Sequence, residues 1–156
     1  MELVYRIQLT AERLFSCFGV KSVTMDDVAK EISISKKTLY KCFRDKESLV
    51  MCTIESHMQE TQQAIDGIIA VEENPIYQLY KITQYIIGKQ RRFSPSMMYD
   101  LKKYHPNSFQ IFDRHRSSHI VNHIKQNIQL GRDIGHYRSD FVAQIIAHSF
   151  SMLSFS

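Results

Sequence analysis

The fold is decided by residues 24–43, which read TMDDVAKEISISKKTLYKCF. Thr24 is a good N-cap for a short helix, and Asp26 and Asp27 suit the positive end of that helix. Ser35 is an equally good N-cap for a second short helix, which follows after a tight connection. Two short helices joined by so few residues have the proportions of a helix-turn-helix, whose second helix enters the major groove of DNA.

The second short helix, predicted over residues 36–43, has two different faces. Leu39 and Phe43 lie on one side of it and would hold it against a core, because side chains three or four residues apart are neighbours on a helix. Lys37 and Lys41, with Tyr40 between them, project from the other side. A basic face of this kind can approach the negative charge of duplex DNA.

Charge is concentrated in this part of the chain. Residues 33–46 contain five cations and a single anion, so they carry a net charge of +4, equal to the formal charge of all 156 residues. A total of +4 permits a nucleic-acid partner without requiring one. Taken alone, the charge run is more typical of an ordinary solvated surface, and it indicates DNA binding only together with the helix-turn-helix pattern.

The rest of the sequence predicts further helices and no strand. Five Gly and three Pro are few breakers for this length. Capping residues and prolines place the other predicted helices at residues 2–18, 75–92, 95–104 and 106–131, with a last one from 139 or 140 to 156. A long helix is also predicted to start at Asp45-Lys46-Glu47 and to run to about Val71. We expect an all-α protein with a helix-turn-helix head over residues 1–46. A helical ligand-binding and dimerisation body would occupy residues 47–156.

The head also resembles a known family. The resemblance covers residues 5–52, and the run Thr38-Leu39-Tyr40-x-x-Phe43-x-x-Lys46-Glu47 is its most specific part. In these residues the sequence is similar to the DNA-binding head of TetR-family regulators. The resemblance implies a homodimer that binds a palindromic operator in double-stranded DNA. It also implies release of the operator, usually by a repressor, when a small-molecule effector enters the body.

Family roles transfer to the matching positions. Thr24, Tyr40 and Lys46 would hold phosphates, and Met25 would sit near the backbone or a base edge. The complete DNA-binding set implied by the motif is Thr24, Met25, Ser35, Lys36, Lys37, Thr38, Tyr40, Lys41 and Lys46. Two positions depart from the family pattern, because Ser33 and Lys37 stand where Gly is common. A left-handed Ser33 would cost about 0.5–1 kcal/mol relative to Gly.

The predicted body is rich in aromatic and methionine side chains. Most such residues form helix core, but buried Tyr needs a hydrogen-bond partner, and apolar pockets with a few polar groups are the usual form of ligand sites. Both interpretations stay open. The residues predicted to contact a mainly apolar effector are Tyr77, Tyr80, Met97, Met98, Tyr99, Tyr104 and Phe112.

Three histidines recur every four residues at His115, His119 and His123. This spacing can place two imidazoles on one metal ion. The sequence offers no Cys or carboxylate that evidently completes the set, so a polar flank beside the core is the favoured interpretation. We therefore expect no metal site and no cofactor.

Other function classes are weakly supported. The sequence has no Gly-rich phosphate loop, metalloprotease motif or nucleophile elbow, so an enzyme is not expected. A helical module that binds an acidic protein partner is the second alternative. The N-terminus does not resemble a signal peptide and no stretch is long and apolar enough to span a membrane, which favours a cytoplasmic protein with no membrane partner. Cys17, Cys42 and Cys52 are expected to be reduced core thiols.

The last predicted helix is apolar on nearly every side. Residues 141–156 should therefore be buried nearly all round, at the seam of a homodimer. The helical pattern is unfinished at Ser156. We expect a further C-terminal helix that this sequence does not contain.

Overall fold

A computed structural model describes residues 2–90 and 94–140, with the backbone alone for 89 and 90. Within these ranges the chain forms seven α-helices and no β-strand. The helices are α1 (Glu2–Phe18), α2 (Met25–Glu31), α3 (Lys36–Cys42), α4 (Lys46–Val71), α5 (Pro75–Gln90), α6 (Pro95–Tyr104) and α7 (Pro106–Asp133). The predicted all-α class is confirmed. None of these helices is both long and apolar enough to cross a membrane.

The helices begin where the sequence predicts. The Thr24 hydroxyl accepts a hydrogen bond from the backbone N–H of Asp27, which opens α2. The hydroxyls of Ser35 and Ser94 do the same for α3 and α6. Each cap satisfies a backbone donor that has no partner inside the helix, which is why short polar residues occur at these positions.

The turn between α2 and α3 is a Schellman motif. Ser33 lies in the left-handed region with φ +57°. Its N–H donates to the Lys30 carbonyl at 3.0 Å, and the N–H of Ile34 donates to the Ala29 carbonyl at 3.0 Å. These two bonds are the pair that closes a helix in this motif. Ser33 thus takes the left-handed conformation that Gly would adopt at lower cost.

Two predicted helix ends were placed wrongly. The helix α3 ends at Cys42, and Phe43 follows it as an extended C-cap. Gly131 does not end α7, which continues to Asp133. The helix closes instead at Gly135, which has φ +76°. The predicted end of α5 at residue 92, the helix from residue 139 or 140, and the dimer seam at 141–156 lie outside the described residues.

Contacts among the residues divide the chain into two compact units. The first unit consists of Met1–His57 and Arg92–Phe112, and the second of Met58–Arg91 and Asp113–Ser156. The sequence suggested a different boundary, after residue 46, which stays a prediction. The first unit thus combines the N-terminal helices with α6 and the beginning of α7.

In the first unit, α1 contacts both α2 and α6. Ile7 and Phe15 of α1 are buried, as are Met97 and Leu101 of α6. Polar contacts add to this packing, since the hydroxyl of Ser94 donates to the Ser16 carbonyl at 2.8 Å. Burial of several large apolar side chains, each worth about 1.5–3 kcal/mol, gives α1 and the helix-turn-helix a shared core.

The second unit has its own core. It is built mainly from isoleucines on α4, α5 and α7, and Ile65, Ile82 and Ile124 are each at most 1% exposed. A buried polar network closes one side of this core. Asn127 donates to the Pro75 carbonyl at 2.9 Å, and the hydroxyl of Tyr137 donates to the same carbonyl at 3.0 Å.

The three cysteines only partly match the expectation of core thiols. All three are free. Cys17 is exposed, so its predicted place in the core was wrong. Cys42 and Cys52 are half-buried, and the Cys52 sulfur accepts a hydrogen bond from the side-chain amide of Gln8 at 2.8 Å.

Candidate nucleic-acid interface

The inner face of α3 is fixed by packing. Leu39 is fully buried and Phe43, immediately after the helix, is 5% exposed. Both lie in the first unit, where α3 contacts α2, and Val28 and Ala29 of α2 are buried. The small Ala29 allows the two helices to approach closely. The orientation of α3 is therefore set by its apolar side chains.

The outer face of α3 is polar and exposed. Lys37 and Lys41 are exposed, and Tyr40 is 43% exposed. Neither lysine forms an ion pair with any residue in the described ranges of the chain. Two cations one helical turn apart, without a protein counter-ion, form a surface that favours an anionic partner.

Lys36 differs from these two lysines because it already has a partner. Its Nζ lies 2.8 Å from Oδ1 of Asp26, at the beginning of α2. The hydrogen bond that Lys36 donates to Asp26, followed by the charge of the same carboxylate, raises the pKa of Lys36 above its ordinary value. Both groups are exposed, so this pair adds little stability. Its main consequence is that the charge of Lys36 is partly neutralised within the protein.

Thr24 and Asp27 form a capping box. The Thr24 hydroxyl donates to Oδ2 of Asp27 at 2.6 Å, and the Thr24 N–H donates to the same oxygen at 2.8 Å. These hydrogen bonds, led by that of the hydroxyl, lower the pKa of Asp27. The hydroxyl proton of Thr24 is thus committed to a carboxylate. A phosphate contact by Thr24 would have to replace that bond, and the role stays a prediction.

Ser35 and Thr38 form a second hydroxyl pair. The Ser35 oxygen accepts from the backbone N–H of Thr38 at 3.0 Å, and the two side-chain oxygens lie 2.8 Å apart. The hydrogen bond between the two side chains uses only one of their two hydroxyl protons. The other can donate outward, so this pair can offer one hydrogen bond to a phosphate oxygen.

Lys46 and Met25 occupy less accessible positions. Nζ of Lys46 donates to the Lys21 carbonyl at 3.2 Å. Burial lowers the pKa of Lys46, while Asp100 and Asp27 act in the opposite direction. Met25 is only 6% exposed and belongs to the core of the first unit. Its sequence pattern did not distinguish a core methionine from a surface one, and its burial does not suit contact with a base edge.

The residues predicted to bind an effector are divided between the two units. Tyr77 and Tyr80 belong to the second unit and are 59% and 60% exposed. The other five belong to the first unit. Among these, Met97 and Met98 are buried, whereas Tyr99 is 60% exposed. The effector set stays a prediction that rests on composition.

The histidine row has a neighbour that the sequence did not indicate. Asp66 of α4 lies beside His119 and His123 of α7, with Oδ1 3.3 Å from Nε2 of His123. The premise that no carboxylate completes the set was therefore wrong. Asp66 is far from the row in sequence, and only the packing of α4 on α7 in the second unit reveals it.

Comparisons with known proteins agree with the helix-turn-helix geometry. The family model described as "Bacterial regulatory proteins, tetR family" matches residues 7–51. The uncharacterized HTH-type transcriptional regulator YhgD of Bacillus subtilis (strain 168) is 33% identical over 79 residues, which cover 48% of this chain and 41% of that protein. An HTH-type transcriptional regulator of Staphylococcus aureus (strain bovine RF122 / ET3-1) is 40% identical over 50 residues, covering 32% of this chain and 27% of that protein. The chain thus spans less than half the length of these curated relatives.

The likeness of fold extends further along the chain. The reduced form of E. coli NemR has a TM-score of 0.78 to this chain at 16% identity, covering 97% of this chain and 82% of that one. Identity at that level shows a shared fold alone. The family motif on α2, α3 and the start of α4 carries the assignment. Residues 7–51 therefore match the TetR family of bacterial regulatory proteins.

Proposed function

We propose that this chain is a DNA-binding transcriptional regulator. As a homodimer it binds a palindromic operator, and it represses transcription until a small-molecule effector releases it. One observation carries the DNA-binding part of the proposal. The rigidly seated α3 exposes Lys37, Tyr40 and Lys41 on the side opposite its buried Leu39. A helix with one fixed apolar face and one unpaired basic face is suited to the major groove.

Affinity and sequence preference have different sources on this surface. Lysines that contact phosphates neutralise charge and release counterions, so affinity falls steeply as salt rises. The hydroxyls of Tyr40 and of the Ser35–Thr38 pair can hold phosphate oxygens, which positions the helix but reads no base. Base reading would fall to Lys37 and Lys41, since the charge of Lys36 is shared with Asp26.

Charge reversal of single lysines tests this surface. Lys41→Glu and Lys37→Glu should each abolish retardation of operator DNA in a gel-shift assay, because a groove-facing anion would repel the duplex. Lys125→Glu is the matched control. It makes the same change in net charge on an exposed residue of α7 and should leave binding nearly unchanged. The operator itself can be obtained by selection from a random DNA pool.

The outcome separates three function classes. If all three variants bound equally weakly, net charge alone would control binding and α3 would not be the recognition helix. If the wild-type protein selected no duplex sequence, the regulator proposal would fail. A module that binds an acidic protein, or an enzyme, would then be the better explanation. We infer a regulator rather than an enzyme from the match of residues 7–51 to the TetR family model.

The dimer and the effector are further parts of the proposal. Two heads must reach half-sites about 34 Å apart, one helical turn of DNA, and this requires two chains. Light scattering at micromolar concentration measures the dimer directly, and a monomer would count against it. An effector that lowers DNA affinity must itself bind more weakly, by the same factor, when DNA is present. Calorimetry with and without operator DNA tests that equality.

A further inference from the structure

The histidines of α7 form a contiguous row in the second unit. The rings of His115 and His119 are stacked with centroids 5.3 Å apart. Those of His119 and His123 meet edge to face at 4.4 Å. The side chains of His119 and His123 are only 18% and 21% exposed.

Asp66 of α4 faces the last two members of the row. Its Oδ1 lies 3.3 Å from Nε2 of His123 and 3.9 Å from Nε2 of His119. One ligand atom from each of the three residues lies within 4.8 Å of the others. In a tetrahedral site with bonds of about 2.0–2.1 Å, neighbouring ligand atoms are about 3.4 Å apart. Small side-chain rotations would bring all three atoms to that spacing.

The surroundings of the His119 imidazole also suit a metal ligand. Its Nε2 is buried and makes no hydrogen bond with any described residue. A buried nitrogen without a partner is uncommon in folded proteins and requires an explanation. A metal ion would give this nitrogen a partner, because an imidazole nitrogen is a common zinc ligand.

We propose that Asp66, His119 and His123 form a binding site for a divalent transition-metal ion, which ties α4 to α7 in the second unit. Two imidazole nitrogens and one carboxylate favour zinc, nickel or cobalt over magnesium or calcium, which prefer oxygen ligands. Three protein ligands leave a fourth position for water, as in exchangeable rather than closed zinc sites. Asp66 is 49% exposed at its side chain, so an ion can enter from solvent.

Titration with zinc or cobalt, followed by calorimetry and by the visible absorption of tetrahedral cobalt, tests this site. The protein should carry no histidine tag, and magnesium should be present in excess. One ion per chain should bind. Asp66→Asn and His123→Ala should each weaken binding at least about tenfold, because even outer-shell substitutions cost about 10–100-fold. His136→Ala removes an exposed histidine outside the site and should change nothing.

A second measurement distinguishes loss of the metal site from misfolding of a variant. Asp66→Asn replaces a half-exposed carboxylate with an amide of the same shape, so the fold should persist. Zinc should raise the unfolding midpoint of the wild type, since an ion that binds the native state stabilises it, and should raise that of Asp66→Asn much less. The proposal is overturned if no ion binds, if both site variants bind as tightly as wild type, or if only His136→Ala weakens binding. DNA is absent from these titrations, so their failure would leave the proposed regulator function untouched.

Discussion

Replacing Ser33 by Gly should stabilise the helix-turn-helix. Ser33 has φ +57° and is the one non-glycine residue with a positive φ in the described ranges. It is exposed, and its hydroxyl makes no hydrogen bond with the described residues. The substitution therefore removes no side-chain contact. Its effect should come from the backbone alone.

The magnitude follows from two opposing terms. A left-handed conformation costs an L-residue about 1–2 kcal/mol. Glycine avoids that cost but loses about 0.5–1 kcal/mol more conformational entropy on folding. The net gain for Ser33→Gly is then about 0.5–1 kcal/mol. For a chain of this length it corresponds to a rise in Tm of about 1–4 °C.

Gly135, after the end of α7, allows the opposite substitution to be tested. The N–H of Gly135 donates to the Arg132 carbonyl at 3.0 Å, and the N–H of His136 donates to the Gly131 carbonyl at 2.7 Å. This is the same Schellman motif, with Gly in the left-handed position at φ +76°. A Cβ at Gly135 would meet nothing within 4 Å. Gly135→Ser should therefore lose about the amount that Ser33→Gly gains, with no clash to confuse the result.

Urea unfolding followed by far-ultraviolet circular dichroism measures both changes. Ser33→Ala is the control, because it removes the hydroxyl, keeps the Cβ and should leave stability unchanged. The two positions lie in different units. If the units unfold in separate transitions, Ser33→Gly should move one transition and Gly135→Ser the other. Equal stability of Ser33→Gly and Ser33→Ala would refute the argument, since relief of the left-handed strain would then contribute nothing.

Four further substitutions have definite expected outcomes. Tyr40→Phe should weaken binding to every duplex similarly, by about 0.5–1.5 kcal/mol in a gel-shift series, because a phosphate contact carries no base information; a changed sequence preference at full affinity would contradict this. Hydrogen bonds lower the pKa of Asp27 below 3.8, so its stabilising contribution is present above that pH and is lost as the pH falls through the folded-state value. Asp27→Asn should therefore be less stable at neutral pH and lose less stability on acidification, as unfolding across pH 2–6 would reveal. Gly131→Ala places a Cβ 2.2 Å from the ring of Tyr137 and should destabilise the protein by about 1–3 kcal/mol in urea unfolding. Gly67→Ala, in the open interior of α4, should instead stabilise it by up to about 1 kcal/mol. If Gly131→Ala and Gly67→Ala changed the free energy of unfolding similarly, the ring of Tyr137 would move aside at little cost, contrary to this expectation.

The starts of α2, α3 and α6 were predictable because they depend on local chemistry. Thr24, Ser35 and Ser94 cap their helices through backbone groups at most three residues away. The left-handed turn at Ser33 was also predictable, since the family pattern places Gly there. Such features depend on neighbours in sequence and need no knowledge of the tertiary structure.

Long-range contacts could not be predicted in the same way. The α6 helix packs on α1 in the first unit, although the sequence assigned it to the body. Asp66 meets the histidine row only because α4 and α7 pack together. The burial of individual side chains could not be predicted either, since Met25 and Met97 are buried while Tyr77 is exposed. Composition predicts that such side chains pack somewhere, but it does not say against what.

The composition of α3 limits how the proposed recognition helix can read bases. Its seven residues, KKTLYKC, include no Asn, Gln or Arg. Adenine is read most specifically by the paired contacts of Asn or Gln, and these are unavailable on α3. Lysine can bind the two acceptors of guanine, although as a point charge it fixes their geometry less well than Arg. Because Lys36 is paired with Asp26, Lys37 and Lys41 are the cations best placed for this role. If α3 is the recognition helix, guanine should therefore be the base it selects in each half-site, and preferences elsewhere in the operator should reflect DNA shape.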